Sequence, residues 1–335
     1  MKKYQILLFA FLLPFFVLAQ KNWSPEQVLK IKNISSAQVS PDGTKVVYTI
    51  REALMTDERS EYINHIWIST IDGLNAKQLT TGDKNNANPK WSPDNKSIAF
   101  TSSRDGKNNL YILPITGGEA EKITEAKGGI SEFEWSNDGK KIFFNAPVDG
   151  TVQIFEVSAD NTVKPLVKQI TTGTFNINGL IGQADSKMAV TRTDMNHASE
   201  IYMVNLSNGT MEQLTHANDE TYKSIKFGNI EKRMIPTTDG KEMLSWVIYP
   251  PDFDPNKKYP TLLYCQGGPQ SALTQFYSFR WNFQLMAANG YIIVAPNRRG
   301  MPGHGVEWNE QISGDYGGQN MEDYLAAIDE VSKEA

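Results

Sequence analysis

Only one cysteine, Cys265, occurs in the 335 residues. No internal disulfide can therefore staple the fold, and stability must come from packed cores. Cys265 falls in an apolar stretch, where a buried, inert thiol is expected. Charge of one sign is scarce too. The 33 Lys and Arg against 38 Asp and Glu give a net charge of -5 with no block of like charge, which excludes the electrostatic footprint of a nucleic-acid or anionic-lipid binder. The four histidines lack metal-ligand spacing, so no metal site and no cofactor is expected. Apolar runs are short: the run from Ile6 to Leu18 falls below the ~20 residues a spanning helix needs. Lys2 and Lys3 precede it and Val17-Leu18-Ala19 closes it, the layout of a signal peptide over 1–19 that is cleaved after Ala19. Export to a periplasm or beyond, with no membrane attachment after cleavage, is the expectation.

With 40% hydrophobic and 10% aromatic residues, the remainder has ample material for cores. Two markers recur along it. Ser40-Pro41-Asp42-Gly43, Ser92-Pro93-Asp94-Asn95, Ser136-Asn137-Asp138-Gly139 and Gln183-Ala184-Asp185-Ser186 are turn tetrads, each followed by a basic residue and a short β-rich run. Leu79-Thr80, Ile123-Thr124, Ile170-Thr171 and Leu214-Thr215 repeat with the same period. An all-β repeat of ~40–50 residues is the signature of a propeller blade, so residues 20–230 are expected to form a β-propeller of about four blades. Trp67, Tyr111, Phe155 and Tyr202 are expected to pack between blades.

The texture changes near Glu231. Thr261 to Cys265 reads as a strand buried on both faces of a parallel sheet. A helix from Trp281 to Asn289 should stop at Gly290, and Tyr291 to Ala295 is a second buried strand. A closing helix carries Met321, Tyr324, Leu325, Ile328 and Val331 toward the sheet. Strands alternating with helices predict a doubly wound, mostly parallel α/β-hydrolase-type sheet over 231–335. Hydrolases of this architecture present the nucleophile in G-x-S-x-G, and this sequence contains none. The expectation is an incomplete catalytic domain, truncated before its nucleophile.

Directly after the first of those strands comes Gln266-Gly267-Gly268-Pro269, in which the glycines allow a tight turn and close approach of the backbone to a substrate. In this fold the loop after that strand helps build the oxyanion hole. Gln266 and Gly267 are the candidate site residues, with the triad serine, aspartate and histidine outside this sequence. The run from Lys258 to Pro269, then Asn297-Arg298-Arg299-Gly300, Gly303-His304-Gly305 and Asp315-Tyr316-Gly317-Gly318, resembles the start of the catalytic domain of the prolyl oligopeptidase family of serine peptidases, in particular its exported dipeptidyl-peptidase and acylaminoacyl-peptidase branches. The resemblance implies a propeller before the hydrolase domain, peptide substrates and cleavage through an acyl-enzyme. It implies that Arg298 and Arg299 brace the site loop and that His304 is not the base, which in the family lies near the far end of the domain. Relatives have more blades than four, and no acidic pair for a substrate amino terminus is evident here; Glu58 and Glu61 read as a solvated loop. Two other readings fit the residues: a non-catalytic propeller that binds a partner, and an esterase of the same fold.

Overall fold

The computed structural model describes residues 23–126, 128–160, 165–268 and 270–334. The expected signal peptide and Pro269 lie outside the described residues. A short helix, α1 (Pro25–Leu29), opens the chain, with Ser24 and Gln27 forming a reciprocal cap. Four antiparallel four-stranded units follow. The first comprises β1 (Asn33–Val39), β2 (Lys45–Met55), β3 (Ser60–Thr70) and β4 (Lys77–Gln78). The second comprises β5 (Asn86–Trp91), β6 (Ser97–Ser102), β7 (Asn109–Pro114) and β8 (Glu121–Lys122). The third is built of β9 (Phe133–Trp135), β10 (Lys141–Val148), β11 (Thr151–Ser158) and β12 (Lys168–Gln169). In the fourth are β13 (Asn176–Ala184), β14 (Lys187–Thr193), β15 (Glu200–Asn205) and β16 (Met211–Gln213). A single parallel bridge, Val152 to Asn176, joins the last two units.

The repeated residues form the same bonds in each unit. Ser40 donates its hydroxyl to Asp42 at 2.7 Å and accepts the Lys45 N–H at 2.9 Å, closing the turn between β1 and β2. Ser92 and Asp94 do so at the next unit, and Ser136 and Asp138 at the third. The Ser40 hydroxyl and then the groups of Thr44 stabilise the Asp42 carboxylate and hold its pKa at about 2. The fourth tetrad departs from this form: Asp185 and Ser186 make a two-residue hairpin between Ala184 and Lys187, with Asp185 at φ 52. The repeated threonines sit after the outermost strands and accept a main-chain N–H of the third strand. Thr80 accepts from Ile66, Thr124 from Leu110, Thr171 from Ile154 and Thr215 from Ile201, at 2.8–2.9 Å. Thr171 also donates to Gln153 at 2.8 Å, and it is fully buried. Thr171→Val is therefore expected to cost about 1–3 kcal/mol, because a buried N–H and an amide oxygen lose their partner. Chemical denaturation of the variant beside Leu79→Ile, which keeps all of these bonds, checks it.

Because successive side chains of a strand point to opposite faces, each unit packs one face backward and the other forward. Ile98, Phe100, Tyr111 and Leu113 meet Val47 and Ile66 of the first unit, whereas Ala99, Leu110 and Ile112 meet Phe133, Ile142 and Phe144 of the third. Phe143 and Ile154 in turn pack on Ile177, Met188 and Val190 of the fourth. Tyr111, Phe155 and Tyr202 all belong to these inter-unit clusters. The first strands are stitched as well: Trp91 Nε1–H donates to the Gln38 carbonyl of the preceding unit at 3.3 Å, and Trp135 Nε1–H to the Lys90 carbonyl at 3.1 Å.

A linker containing α2 (Asp219–Tyr222) leads to a second sheet. It contains β17 (Ile230–Pro236), β18 (Glu242–Ile248), β19 (Thr261–Leu263) and β20 (Ile292–Pro296), in the order β17-β18-β20-β19. β19 and β20 are parallel, and the opening hairpin β17–β18 adds antiparallel strands on their flank. Helices cover both faces. α3 (Phe283–Ala288) buries Phe283 and Ala287 against Leu244, Trp246, Ile293 and Ala295. Beyond α4 (Val306–Glu310), α5 (Gln319–Ser332) buries Ala327 and Val331 against Met243, Val247, Ile292 and Val294 on the other face. α3 begins at its Asn282 cap rather than at Trp281, and it ends before Gly290, whose φ is 86.

Three expectations need correction. β19 is not buried on both faces: among the described residues it is an edge strand, and Leu262 is 41% exposed. Cys265 is exposed, because the strand has already ended at Leu263 and the chain is turning away. The sheet-facing side of α5 is Asn320, Asp323, Tyr324, Ala327 and Val331, whereas Met321 and Leu325 are exposed. A buried aspartate pulls the helix round, for the reason given next.

Candidate active-site loop

The loop leaving β19 is held from behind by two side chains. Tyr324 on α5 donates its hydroxyl to the Gln266 carbonyl at 3.1 Å, and Arg298 Nη2 donates to the same oxygen at 3.4 Å. Arg298 Nε–H donates to the Tyr324 hydroxyl at 3.1 Å and Nη1–H to the Arg299 carbonyl at 2.8 Å, so this guanidinium is buried as a brace. The anchored carbonyl fixes where Gly267 and Gly268 begin. Gly268 adopts φ 62, and a Cβ at Gly267 would meet nothing within 4 Å. Gly267 is exposed, and the described residues supply its N–H with no acceptor. The Gln266 side chain lies toward Ser271, 3.4 Å from its hydroxyl.

Arg299 anchors the platform beneath. Nη1 and Nη2 grip both oxygens of Asp239 at 2.9 and 2.8 Å, while Nε and Nη2 grip Asp323 at 2.8 and 2.9 Å. The Arg299 main-chain N–H also donates to Asp323 at 2.9 Å. Asp239 belongs to the turn between β17 and β18, and Asp323 to α5. One guanidinium thus joins three elements. Its hydrogen bonds, ahead of that from Thr237, hold the Asp239 carboxyl well below the usual carboxylate range. Arg298 braces the loop itself, as the resemblance implied for both arginines, whereas Arg299 braces the elements beneath it.

A cleft of about 300 Å³ lies between the second and third units and the hydrolase-type part, lined there by Gln270, Pro302 and Asn309. Gln270 and Asn309 form one wall, Lys107, Asn108 and Gly129 the other. The buried Asn309 accepts from Lys107 Nζ and from Gln270 Nε2, so its amide spans the two bodies. Nothing in the sequence marked Lys107 and Asn309, which lie far apart in the chain; only the folded seam brings them together. The seam continues at Asn176, whose amide donates to Thr274 at 2.8 Å and accepts the Gln275 N–H at 3.2 Å.

The other sequence candidates fall elsewhere. His304 lies in the seam loop near Asp149 and Lys232; burial lowers its pKa, and its Nε2 has no partner among the described residues. The Cys265 thiol is raised by the packing around its sulfur, with Arg298 opposing, so it is no activated thiolate. Glu58 is in an exposed loop, whereas Glu61, expected in the same loop, lies on the exposed start of β3, paired with Leu54 and beside Arg59. Among the described residues no group of three His, Cys, Asp or Glu could hold a metal ion, and no helix is long and apolar enough to cross a membrane.

A model of the TolB beta propeller domain matches residues 23–244, and one of the prolyl oligopeptidase family matches residues 277–335. The chain is 39% identical over 299 residues to dipeptidyl-peptidase 5 of Porphyromonas gingivalis, covering 88% of this chain and 44% of that protein. With dipeptidyl-peptidase 5 of Porphyromonas endodontalis it shares 49% identity over 169 residues, covering 50% of this chain and 24% of the relative. It therefore spans less than half the length of these curated relatives. The fold is similar to that of dipeptidyl peptidase 4 of Porphyromonas gingivalis, with a TM-score of 0.60 at 14% identity over 89% of this chain and 54% of that one. The propeller units and the later part of the helix-flanked sheet are thus each matched by a family model, and the chain belongs to the prolyl oligopeptidase family.

Proposed function

We propose that the chain supplies the propeller and the oxyanion-side part of the catalytic domain of an exported serine peptidase that releases dipeptides or cleaves short peptides. The observation that carries this reading is the Gly267 N–H, on an exposed residue and without an acceptor among the described residues, in a loop whose start is clamped by Arg298 and Tyr324. A donor fixed in advance stabilises charge that appears on a carbonyl oxygen only in the transition state. Gln266 and Gly267 are the proposed oxyanion-hole residues, with the main-chain N–H as donor. The attacking serine and its histidine base belong to residues this sequence does not contain. The propeller units, joined across the seam to Asn309 and Thr274, restrict access to short or extended peptides. Residues 20–230 and 231–335 are the proposed domains, preceded by a leader over 1–19 that directs export.

The test is a chimera in which this chain is continued by the C-terminal part of the Porphyromonas gingivalis relative. It should hydrolyse dipeptidyl substrates, while the chain alone should not. Gly267→Val, which introduces a branched side chain into open space, should lower kcat of the chimera by about two orders of magnitude with an unchanged melting temperature. A folded but inactive chimera would support the partner-binding reading, and preference for simple esters over dipeptides would support the esterase.

A further inference from the structure

A second pocket, about 330 Å³, lies at the junction of the fourth unit with α2. Its floor carries the guanidinium of Arg192, whose Cζ lies over two rings, 4.3 Å from the centroid of Phe175 and 4.7 Å from that of Tyr202. The ring contacts confine this side chain, yet the described residues give it no hydrogen-bond acceptor and no ion-pair partner. Arg104, stacked in the second unit on Tyr111 and Phe100, is a contrast: it donates to Ser102 at 3.1 Å and to Asn86 at 3.0 Å. The neighbouring carboxylates do not serve Arg192. Asp194 accepts from His197 and two main-chain N–H groups. Glu200, directly across the ladder from Arg192, accepts from Thr215 and Asn218. Opposite them Tyr222 accepts the Ala198 N–H at 2.8 Å, and its own O–H proton has no acceptor among the described residues.

Around Arg192 the unspent hydrogen-bonding capacity is thus donor capacity: a planar guanidinium fork and a phenol. We infer that this pocket binds the α-carboxylate of a free amino acid or short peptide, with Arg192 as its bidentate partner and the Tyr222 hydroxyl as a further donor. A guanidinium matches the two oxygens of a carboxylate in plane. The rings beneath it reduce the freedom lost on binding. Asp194 and Glu200 beside the site disfavour dianions such as phosphate, and they favour a ligand whose positive end lies next to its carboxylate. Asp219 has one oxygen on His216 and the other without a partner among the described residues, which suits the ammonium of such a zwitterion. The inference is built on the pocket's own donors, so it stands or falls apart from the peptidase reading.

Direct binding tests it without any catalytic readout. Calorimetric titration of the full chain with alanine, Ala-Ala, Ala-Ala amide and inorganic phosphate should show binding of one or both carboxylates, at least tenfold weaker binding of the amide, and none of phosphate. Comparison of alanine with Ala-Ala separates a free amino acid from a peptide as the natural ligand. Arg192→Gln should reduce carboxylate affinity at least tenfold, a change of about 1.4 kcal/mol, and should erase the preference over the amide. Tyr222→Phe, which keeps the ring, should weaken binding less. Melting curves of both variants establish that they are folded; if Arg192→Gln does not fold, the acid-to-amide ratio on the unaltered chain decides. Equal affinity for acid and amide, binding of phosphate instead, or no heat with any probe would overturn the proposal.

Discussion

Arg299→Ala is expected to destabilise the hydrolase-type part of the chain by about 3–5 kcal/mol, the largest effect of any single charge removal here. The size follows from what is left behind. Asp323 has 0% side-chain exposure and receives three hydrogen bonds, all from Arg299. Alanine removes two of them and the compensating charge together, leaving a carboxylate inside a helix-to-sheet interface. Asp239→Ala should cost distinctly less, because Asp239 is partly exposed and water can replace it at the guanidinium. Arg299→Lys should not restore stability, since an ammonium cannot grip two carboxylates with a planar fork. Equilibrium urea denaturation of the three variants gives the ranking, and an Arg299→Ala loss below that of Asp239→Ala would refute it. The same network sets an acid limit. The Asp239 pKa is lower in the folded chain than in the unfolded one, so its contribution is complete above about pH 4 and declines as pH falls below that value.

Gly228→Ala is the second large effect, and its origin is steric. A Cβ there would sit 1.8 Å from the Tyr249 carbonyl oxygen and 2.9 Å from its carbon, atoms of main chain that cannot swing aside. Gly228 is also held by one side chain from both sides: its N–H donates to Gln284 Oε1 at 2.8 Å, and its carbonyl accepts from Gln284 Nε2 at 2.9 Å. Gln284 Nε2 further donates to Asn196 of the fourth unit at 2.8 Å. The linker, α3 and the propeller meet at this point, so displacement of Gly228 breaks all three contacts. A loss above about 4 kcal/mol, or failure to fold, is expected. Gly240→Ala provides the calibration. It has φ 81 but open space around it, and should cost only about 1–2 kcal/mol. Thermal melts of the two variants should differ widely, and equal shifts would show that the linker relaxes.

Much of this was readable from the chain because local chemistry repeats. A serine two residues before an aspartate makes the same turn wherever the backbone is the same, and a threonine after an outer strand finds the same N–H. Such bonds span few residues, so they leave a periodic trace. The helix-flanked second sheet was readable for a similar reason, through its apolar runs. What was hidden depends on partners distant in sequence. The expectation for Cys265 assumed strand beyond Leu263, and no local signal marks where an edge strand ends. The face of α5 was assigned from hydrophobicity, which favours Met321 and Leu325; Asp323 turned the helix because Arg299 waits across the interface. Gln266 and Gly267 were visible as a loop, but their clamp by Arg298 and Tyr324 was not. The Arg192 pocket gave no signal at all, since it is defined by a bond that is not made.

The indole stitches have a mechanical consequence. Trp91 ties the first unit to the second, and Trp135 ties the second to the third, each through the first strand of its unit. Each indole thus fastens a unit to the one before it, whereas the second and fourth units are also held across the seam, at Asn309 and Thr274. A load applied at the first unit would fall on the Trp91 junction alone, and after its rupture the second unit would still be held both by the Trp135 junction and by the seam.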